Sequence, residues 1–305
     1  MSTDAVVVVA HGSVDALSDL PEFLKNIRRG NPAPPEMLAE MRRRYEAIGG
    51  SSPLNGINRE LACKLQSRLG VPVRLANRYF RPYPRDVLAE LFESGVRRVA
   101  AVPLAQHSAG DYGAAMHEAA RAVGNGSLAI VSASNWGQDP ALTDLFAAQI
   151  EETLERIPSG NRSRTALVMT AHSLPLSVIQ AGDPYEQEFR RSAEAVVGRL
   201  AARVAFSDHA VAFQSQGMST RPTTWLGPDL RSTLESFAAS GKKHVVLAPI
   251  GFLADHVEIL YDLDIEASAW AAELGITLSR SASLNDKSEL ISILAALANT
   301  LLERK

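Results

Sequence analysis

Eight short runs rich in β-branched and small apolar residues punctuate the chain, and an amphipathic stretch follows nearly every one of them. The runs cover 5–10 (AVVVVA), 72–76, 97–103 (RRVAAVP), 127–132, 165–170 (TALVMT), 209–213, 243–249 (KHVVLAP) and 275–279. Near-continuous apolar strands separated by helical segments are what a parallel sheet buried on both faces requires, because crossover helices must cover both sides. Helices are expected at 36–48, 56–69, 84–94, 112–123, 140–156, 185–203, 229–239, 255–273 and 286–303. With 305 residues the chain has material for two cores,. Eight strands suit two four-stranded sheets.

A weak internal echo supports that division. Ser94-Gly95 followed by VRRVAAVPL resembles Ser240-Gly241 followed by KKHVVLAPI, with Pro103 and Pro249 in corresponding places. VVVVAHG, containing His11, resembles ALVMTAHS, containing His172. Two similar α/β halves follow, with the break expected in a polar, Gly- and Pro-containing stretch at 133–140 or 158–164. The first lobe is taken as 1–137, the second as 138–285, and 286–305 as a separate C-terminal helix.

Composition removes several classes of function. Lys and Arg total 31 against 34 Asp and Glu, a net charge of −3 that gives no overall field for wrapping nucleic acid,. Cys63 is the only cysteine, so an internal disulfide and a four-cysteine zinc or iron–sulfur site are excluded, and a reducing cytoplasm is the expected home,. The apolar run near the N-terminus is too short for a secretory leader, and no window approaches a transmembrane span. There is no GxGxxG opening a helix after a strand, no GxxxxGK[ST], no GxSxG and no HExxH, so nucleotide and triad chemistry lose support,.

In open α/β sheets ligands sit outside the carboxyl ends of the strands. Four of the five loops picked out there contain histidine: HGS at 11–13, AQHS at 105–108, HSLP at 172–175 and GFLADH at 251–256; the fifth is QSQG at 214–217. His172 closes a strand ahead of Pro175 and can either ligate a metal or accept a proton. His11 holds the equivalent place in the first half, where the alternative is a buried ring bonded to backbone. Asp255, Glu258, Asp262 and Glu266 are spaced to fall in one column on a helix. Six acids and no Lys or Arg lie between His244 and Ser279. Two readings stand: a solvated face neutralised by arginines from elsewhere, or a stack of oxygen donors for a divalent cation. His256 is placed to support those carboxylates. A basic cluster between Lys25 and Arg44 forms a candidate anion site,.

These residues also carry a resemblance. IRRG (27–30), EML (36–38), RYEAIGGSSPL (44–54), AHSLP (171–175), GDPY (182–185), QSQG (214–217), WLGPD (225–229) and GFLADHVEILYDLDIE (251–266) are ordered over almost the whole chain. Together they resemble the ferrochelatases, most like the short coproporphyrin III ferrochelatases of Gram-positive type. The resemblance implies an α/β fold of two Rossmann-like lobes, each a mostly parallel four-stranded sheet flanked by helices, as in class II chelatases. It implies a porphyrin cleft between the lobes and a C-terminal helix packed on the first lobe. The implied reaction inserts Fe2+, as substrate, into a porphyrin in haem biosynthesis. No resident prosthetic group or iron–sulfur cluster is implied, and the enzyme is expected to be a cytoplasmic monomer.

By the same resemblance, His172 accepts a proton or binds iron, and Glu258 is the metal-site carboxylate facing it across the cleft. Asp255, Asp262 and Glu266 guide the cation. Arg28, Arg44, Tyr45, Ser52 and Tyr112 contact the porphyrin and its propionates. Where the Gram-positive enzymes have Ala-Tyr-Gly after the first strand, this chain has Ala10-His11-Gly12, which makes His11 a candidate axial donor. That departure also keeps a sirohydrochlorin or cobalt chelatase as an alternative, beside a protoporphyrin IX ferrochelatase. Asp262 stands where a Glu is common. A haem-binding protein on the same scaffold is the non-enzymatic alternative.

Overall fold

The computed structural model describes residues 3–124, 126–201, 203–216 and 223–303. The chain divides into two compact units: one runs to Trp136 and resumes at Asn285, and the other spans Gly137–Leu284.

The first unit is built on β1 (Asp4–Ala10), β2 (Val73–Asn77), β3 (Arg98–Pro103) and β4 (Ala129–Ser132). All neighbours pair in parallel, in the order β2-β1-β3-β4. The valines of β1 from Val6 to Val9 have no accessible surface, as a central strand covered on both faces requires,. Covering helices include α1 (Leu20–Ile27), α2 (Pro35–Ala47), α3 (Leu54–Leu69), α4 (Pro84–Glu93) and α5 (Ala109–Gly124). The C-terminal helix, Ser288–Glu303, packs on α3 and β3 through an apolar face that includes Leu290, Ile291, Leu294 and Leu301.

The second unit repeats the plan. It contains α6 (Pro140–Glu155), β5 (Thr165–His172), α7 (Leu176–Gln180), α8 (Tyr185–Ala201), β6 (Asp208–Gln214), α9 (Leu230–Ala239), β7 (His244–Ala248) and β8 (Thr277–Arg280). Its sheet is again parallel, in the order β6-β5-β7-β8. The chain leaves the central strand to one side and returns on the other in each sheet, so the crevices lie at the carboxyl ends of β1 and β3 in one unit and β5 and β7 in the other. His11 follows the first of these strands, and His172 ends the third. The sequence echo corresponds to this shared topology: Gly95 and Gly241 both sit at positive φ, 97° and 81°, just beyond α4 and α9.

Two expectations need correction. No helix was expected at 20–27, yet α1 forms there, opened by Pro21 in its first turn and burying Leu20, Phe23 and Leu24 on one face. The helix expected over 255–273 is not continuous. It comprises α10 (Val257–Leu260), a π-helical turn (Asp262–Ala267) and α11 (Ser268–Glu273), with Asp255 ahead of the first turn. The Glu266 amide bonds the Tyr261 carbonyl five residues back at 2.9 Å, so one extra residue is accommodated there,. The single column of four carboxylates is therefore broken.

Candidate active site

In the second unit, β5 runs to His172, whose strand partner on β6 is Gln214. The loop after β7 then approaches β5 so closely that a Cβ on Gly251 would stand 2.6 Å from Cα of Ala171. Only glycine permits this, and the Gly251 amide bonds the Thr170 carbonyl at 2.9 Å,. The close approach delivers residues 252–258 to the end of the strand that carries His172.

Glu258 lies between two imidazoles. Nε2 of His172 is 3.4 Å from its Oε1, and Nε2 of His256 is 3.3 Å from its Oε2. Gln214 fixes the backbone beneath, donating from Nε2 to the Glu258 carbonyl at 2.7 Å. On the far side of the His172 ring, Nδ1 faces the Ser173 carbonyl. Both ring nitrogens of His172 thus meet oxygen acceptors, and only an imidazolium can donate to both. Burial opposes the charge, but the Glu258 carboxylate outweighs it, and the His172 pKa is raised to about 9. Burial would also raise Glu258; the charge and hydrogen bond of His172 hold it well below the ordinary carboxylate range instead. Both residues belong to the second unit, as the division at 138–285 expected from the sequence also has it.

The other acids separate into different roles. Asp262 is buried and accepts from Oγ of Ser215, a residue at φ 60°. Glu266 is half-buried in the π-helical turn. Asp255 accepts from Arg280 Nη1 at 3.2 Å and from Ser283 Oγ at 2.7 Å. Arg280 also grips Asp264 in a fork, at 2.6 and 3.0 Å. For Asp255, the neutralised alternative raised from the sequence is the one the contacts favour. Of the QSQG run, Gly217 lies outside the described residues. Among the described residues no group of three or more His, Cys, Asp or Glu side chains is arranged to hold a metal ion.

In the first unit, the His11 ring follows β1, with Nδ1 3.0 Å from the Gly12 carbonyl and the ring centroid 4.7 Å from that of Tyr79. Arg78 was not singled out from the sequence. Its guanidinium lies 5.0 Å from the Tyr79 ring and 5.4 Å from the Tyr112 ring, and Nη1 donates to Asp111 at 3.1 Å,. Its sequence signal is Asn77-Arg78-Tyr79, a basic and an aromatic residue directly after a strand. Arg28 donates to the Pro32 carbonyl at 3.2 Å, and Arg44 to Glu40 at 2.7 Å. Glu40 also receives Arg43, and the two arginines hold its pKa at about 2 against the effect of burial.

Two residues expected to contact the porphyrin are enclosed in this unit. Tyr45 has no accessible surface and its hydroxyl pairs with Oγ of Ser13 at 2.8 Å, so it braces the loop after β1. Ser52 is also enclosed, its hydroxyl accepting the Leu54 amide at 3.3 Å where α3 begins,. His107 is buried, and burial lowers its pKa to about 4, as a neutral core histidine requires.

Comparison with known proteins identifies the family. The ferrochelatase family model matches residues 3–302. A ferrochelatase of Acidobacterium capsulatum is 35% identical over 98% of this chain and 95% of that protein. A coproporphyrin III ferrochelatase of Bacillus subtilis is 32% identical over 95% of each. Among solved structures, SirB from Bacillus subtilis with Fe3+ superposes with a TM-score of 0.60 at 12% identity, over 98% of this chain and 96% of that one, which shows the shared fold. No helix among the described residues is long and apolar enough to cross a membrane. With its histidine–carboxylate pair at the end of a parallel sheet and a family match over nearly its full length, the chain belongs to the ferrochelatase family.

Proposed function

We propose that this protein inserts Fe2+ into coproporphyrin III in haem biosynthesis, exchanging the metal for the two pyrrole N–H protons. The observation that carries the proposal is the placement of Glu258 between His172 and His256 at the carboxyl end of the second sheet. Metal insertion needs a group that holds a cation briefly and a group that takes protons from the macrocycle. At rest the pair holds a proton where the cation must arrive. A divalent cation on Glu258 cancels the charge that keeps His172 protonated, and the imidazole gives up its proton. The neutral ring is then competent to ligate iron or to accept a pyrrole proton; one of the two pyrrole protons returns the pair to its protonated state, and the other, like the proton His172 gave up on cation binding, passes to water, so that two protons leave per metal inserted. Asp262, enclosed beside Ser215, and the half-buried Glu266 are the acids of the π-helical turn that supply the cation to Glu258.

In the first unit, Arg28 and Arg44 anchor propionates by charge. Arg78, beside the rings of Tyr79 and Tyr112, offers a cation among aromatic groups to a planar π-system bearing carboxylates. His11 serves as an axial donor through Nε2. The enzyme works as a cytoplasmic monomer, with iron as substrate and no prosthetic group of its own. A second reading, a sirohydrochlorin or cobalt chelatase, is favoured by one observation, the histidine immediately after β1.

The test is an anaerobic assay with Fe2+ and coproporphyrin III, with protoporphyrin IX and sirohydrochlorin in parallel. Catalytic loss of free-porphyrin fluorescence, fastest with coproporphyrin III, is expected. Loss that stops at a stoichiometric amount identifies a haem-binding protein, and faster turnover of another tetrapyrrole reassigns the substrate.

A further inference from the structure

Arg280 is the single Lys or Arg between His244 and Leu284, a stretch with six acids. It is the last residue of β8, and its register partner is Leu247 of β7. That pairing sets it at the carboxyl end of the sheet, the end that carries His172. Its side chain is 18% exposed and reaches two carboxylates at once. One is Asp255, next to His256 and three residues before Glu258; the other is Asp264, inside the π-helical turn. Ser283 adds a second donor on Asp255. A forked guanidinium can satisfy two carboxylates in this way; an ammonium cannot.

The geometry points to Arg280 as a positioning residue for metal delivery: by clamping Asp255 and Asp264 it fixes the two ends of the segment bearing Glu258 and Asp262, and keeps those two acids from competing for the substrate cation. The inference rests on Glu258 being the metal-site carboxylate. Without the clamp, Asp255 and Asp264 become uncompensated negative charges close to the cation's route. They would hold the cation off its path, and the π-helical turn that presents Asp262 would lose its tie to β8. A single π-helical turn is a rare insertion in a helix, and the fork from Arg280 to Asp264 ties it to β8 from outside,.

The experiment measures KM for Fe2+ and KM for coproporphyrin III separately, anaerobically, on the full chain, for the wild type, Arg280→Gln, Arg280→Lys and the double variant Arg280→Gln/Asp264→Asn. Arg280→Gln is expected to raise KM for Fe2+ by about tenfold, the scale seen when a group orienting a metal ligand is lost. KM for the porphyrin should stay at its wild-type value. Arg280→Lys should fall between, and removing the Asp264 charge should recover part of the loss. A wild-type KM for Fe2+ in Arg280→Gln overturns the proposal. So does a parallel change in both KM values that Asp264→Asn leaves unrelieved, which is the mark of a merely structural residue. If Arg280→Gln does not fold, Arg280→Lys decides on the same criterion. Undiminished insertion by Glu258→Gln would refute the underlying site instead, independently of any result at Arg280.

Discussion

Nε2 of His172 stands 3.4 Å from Oε1 of Glu258, and the two residues reach that distance from different loops of one sheet, the end of β5 and the segment after β7. The contact gives each residue a state it would not have alone, a retained proton on the imidazole and a retained charge on the carboxylate. A divalent cation arriving there meets a proton it can displace.

The pair makes stability depend on pH with a definite sign. His172 has its pKa raised from 6.5 to about 9, so its contribution is complete below pH 6.5 and is lost as pH rises through 9,. Glu258 is lowered from 4.5, so its contribution is complete above pH 4.5 and is lost in stronger acid,. The difference in unfolding temperature between the wild type and Glu258→Gln should therefore be largest between pH 4.5 and 6.5 and shrink towards pH 9. Thermal melts across that range check it, and a difference that grows with pH contradicts the pairing.

Tyr45 offers a contrast between a brace and a contact. Tyr45→Phe deletes the hydroxyl bonded to Ser13 and leaves the ring in place. The expected cost is about 1 kcal/mol of stability, from denaturant melts. KM for coproporphyrin III should not move, and a raised KM would return Tyr45 to the ligand.

Much of the fold was legible because it depends on local pattern. All eight strands lie where β-branched runs predicted them, and the Ala-His endings marked the two central strands. Legibility failed where a distant residue decides the outcome. The acidic segment looked uncompensated because Arg280 lies one residue beyond the stretch from His244 to Ser279, and only the β7–β8 pairing brings it back to Asp255 and Asp264. Tyr45 and Ser52 sit in a family motif, but their burial depends on Ser13 and the start of α3, which no spacing in the motif reveals. The π-helical turn has no signature in a pattern read at ordinary helical period. His172 and Glu258 could be named from sequence, whereas the close approach of Gly251 to Ala171 that brings their segments together could not.

Arg44 already spends one nitrogen on Glu40, so its removal tests whether the basic cluster serves a ligand or only its own helix. Arg44→Ala is expected to raise KM for coproporphyrin III about tenfold with kcat little changed, the pattern for loss of uniform binding. Steady-state kinetics in porphyrin concentration check it, and an unchanged KM confines the cluster to the surface of α2.

His11 is packed against Tyr79 and stands where an axial donor is proposed. His11→Ala should shift the Soret band of the enzyme–haem complex more than it slows insertion. Absorption spectra of the wild-type and variant complexes decide the point, and identical bands exclude axial ligation by His11.

The most direct test of the central claim compares insertion rate with porphyrin affinity in His172→Ala and Glu258→Gln. Each variant is expected to lose at least about a hundredfold in kcat, the scale of a positioned proton-transfer group, while fluorescence titration gives a wild-type Kd for coproporphyrin III. Near-wild-type kcat in either variant would contradict the account.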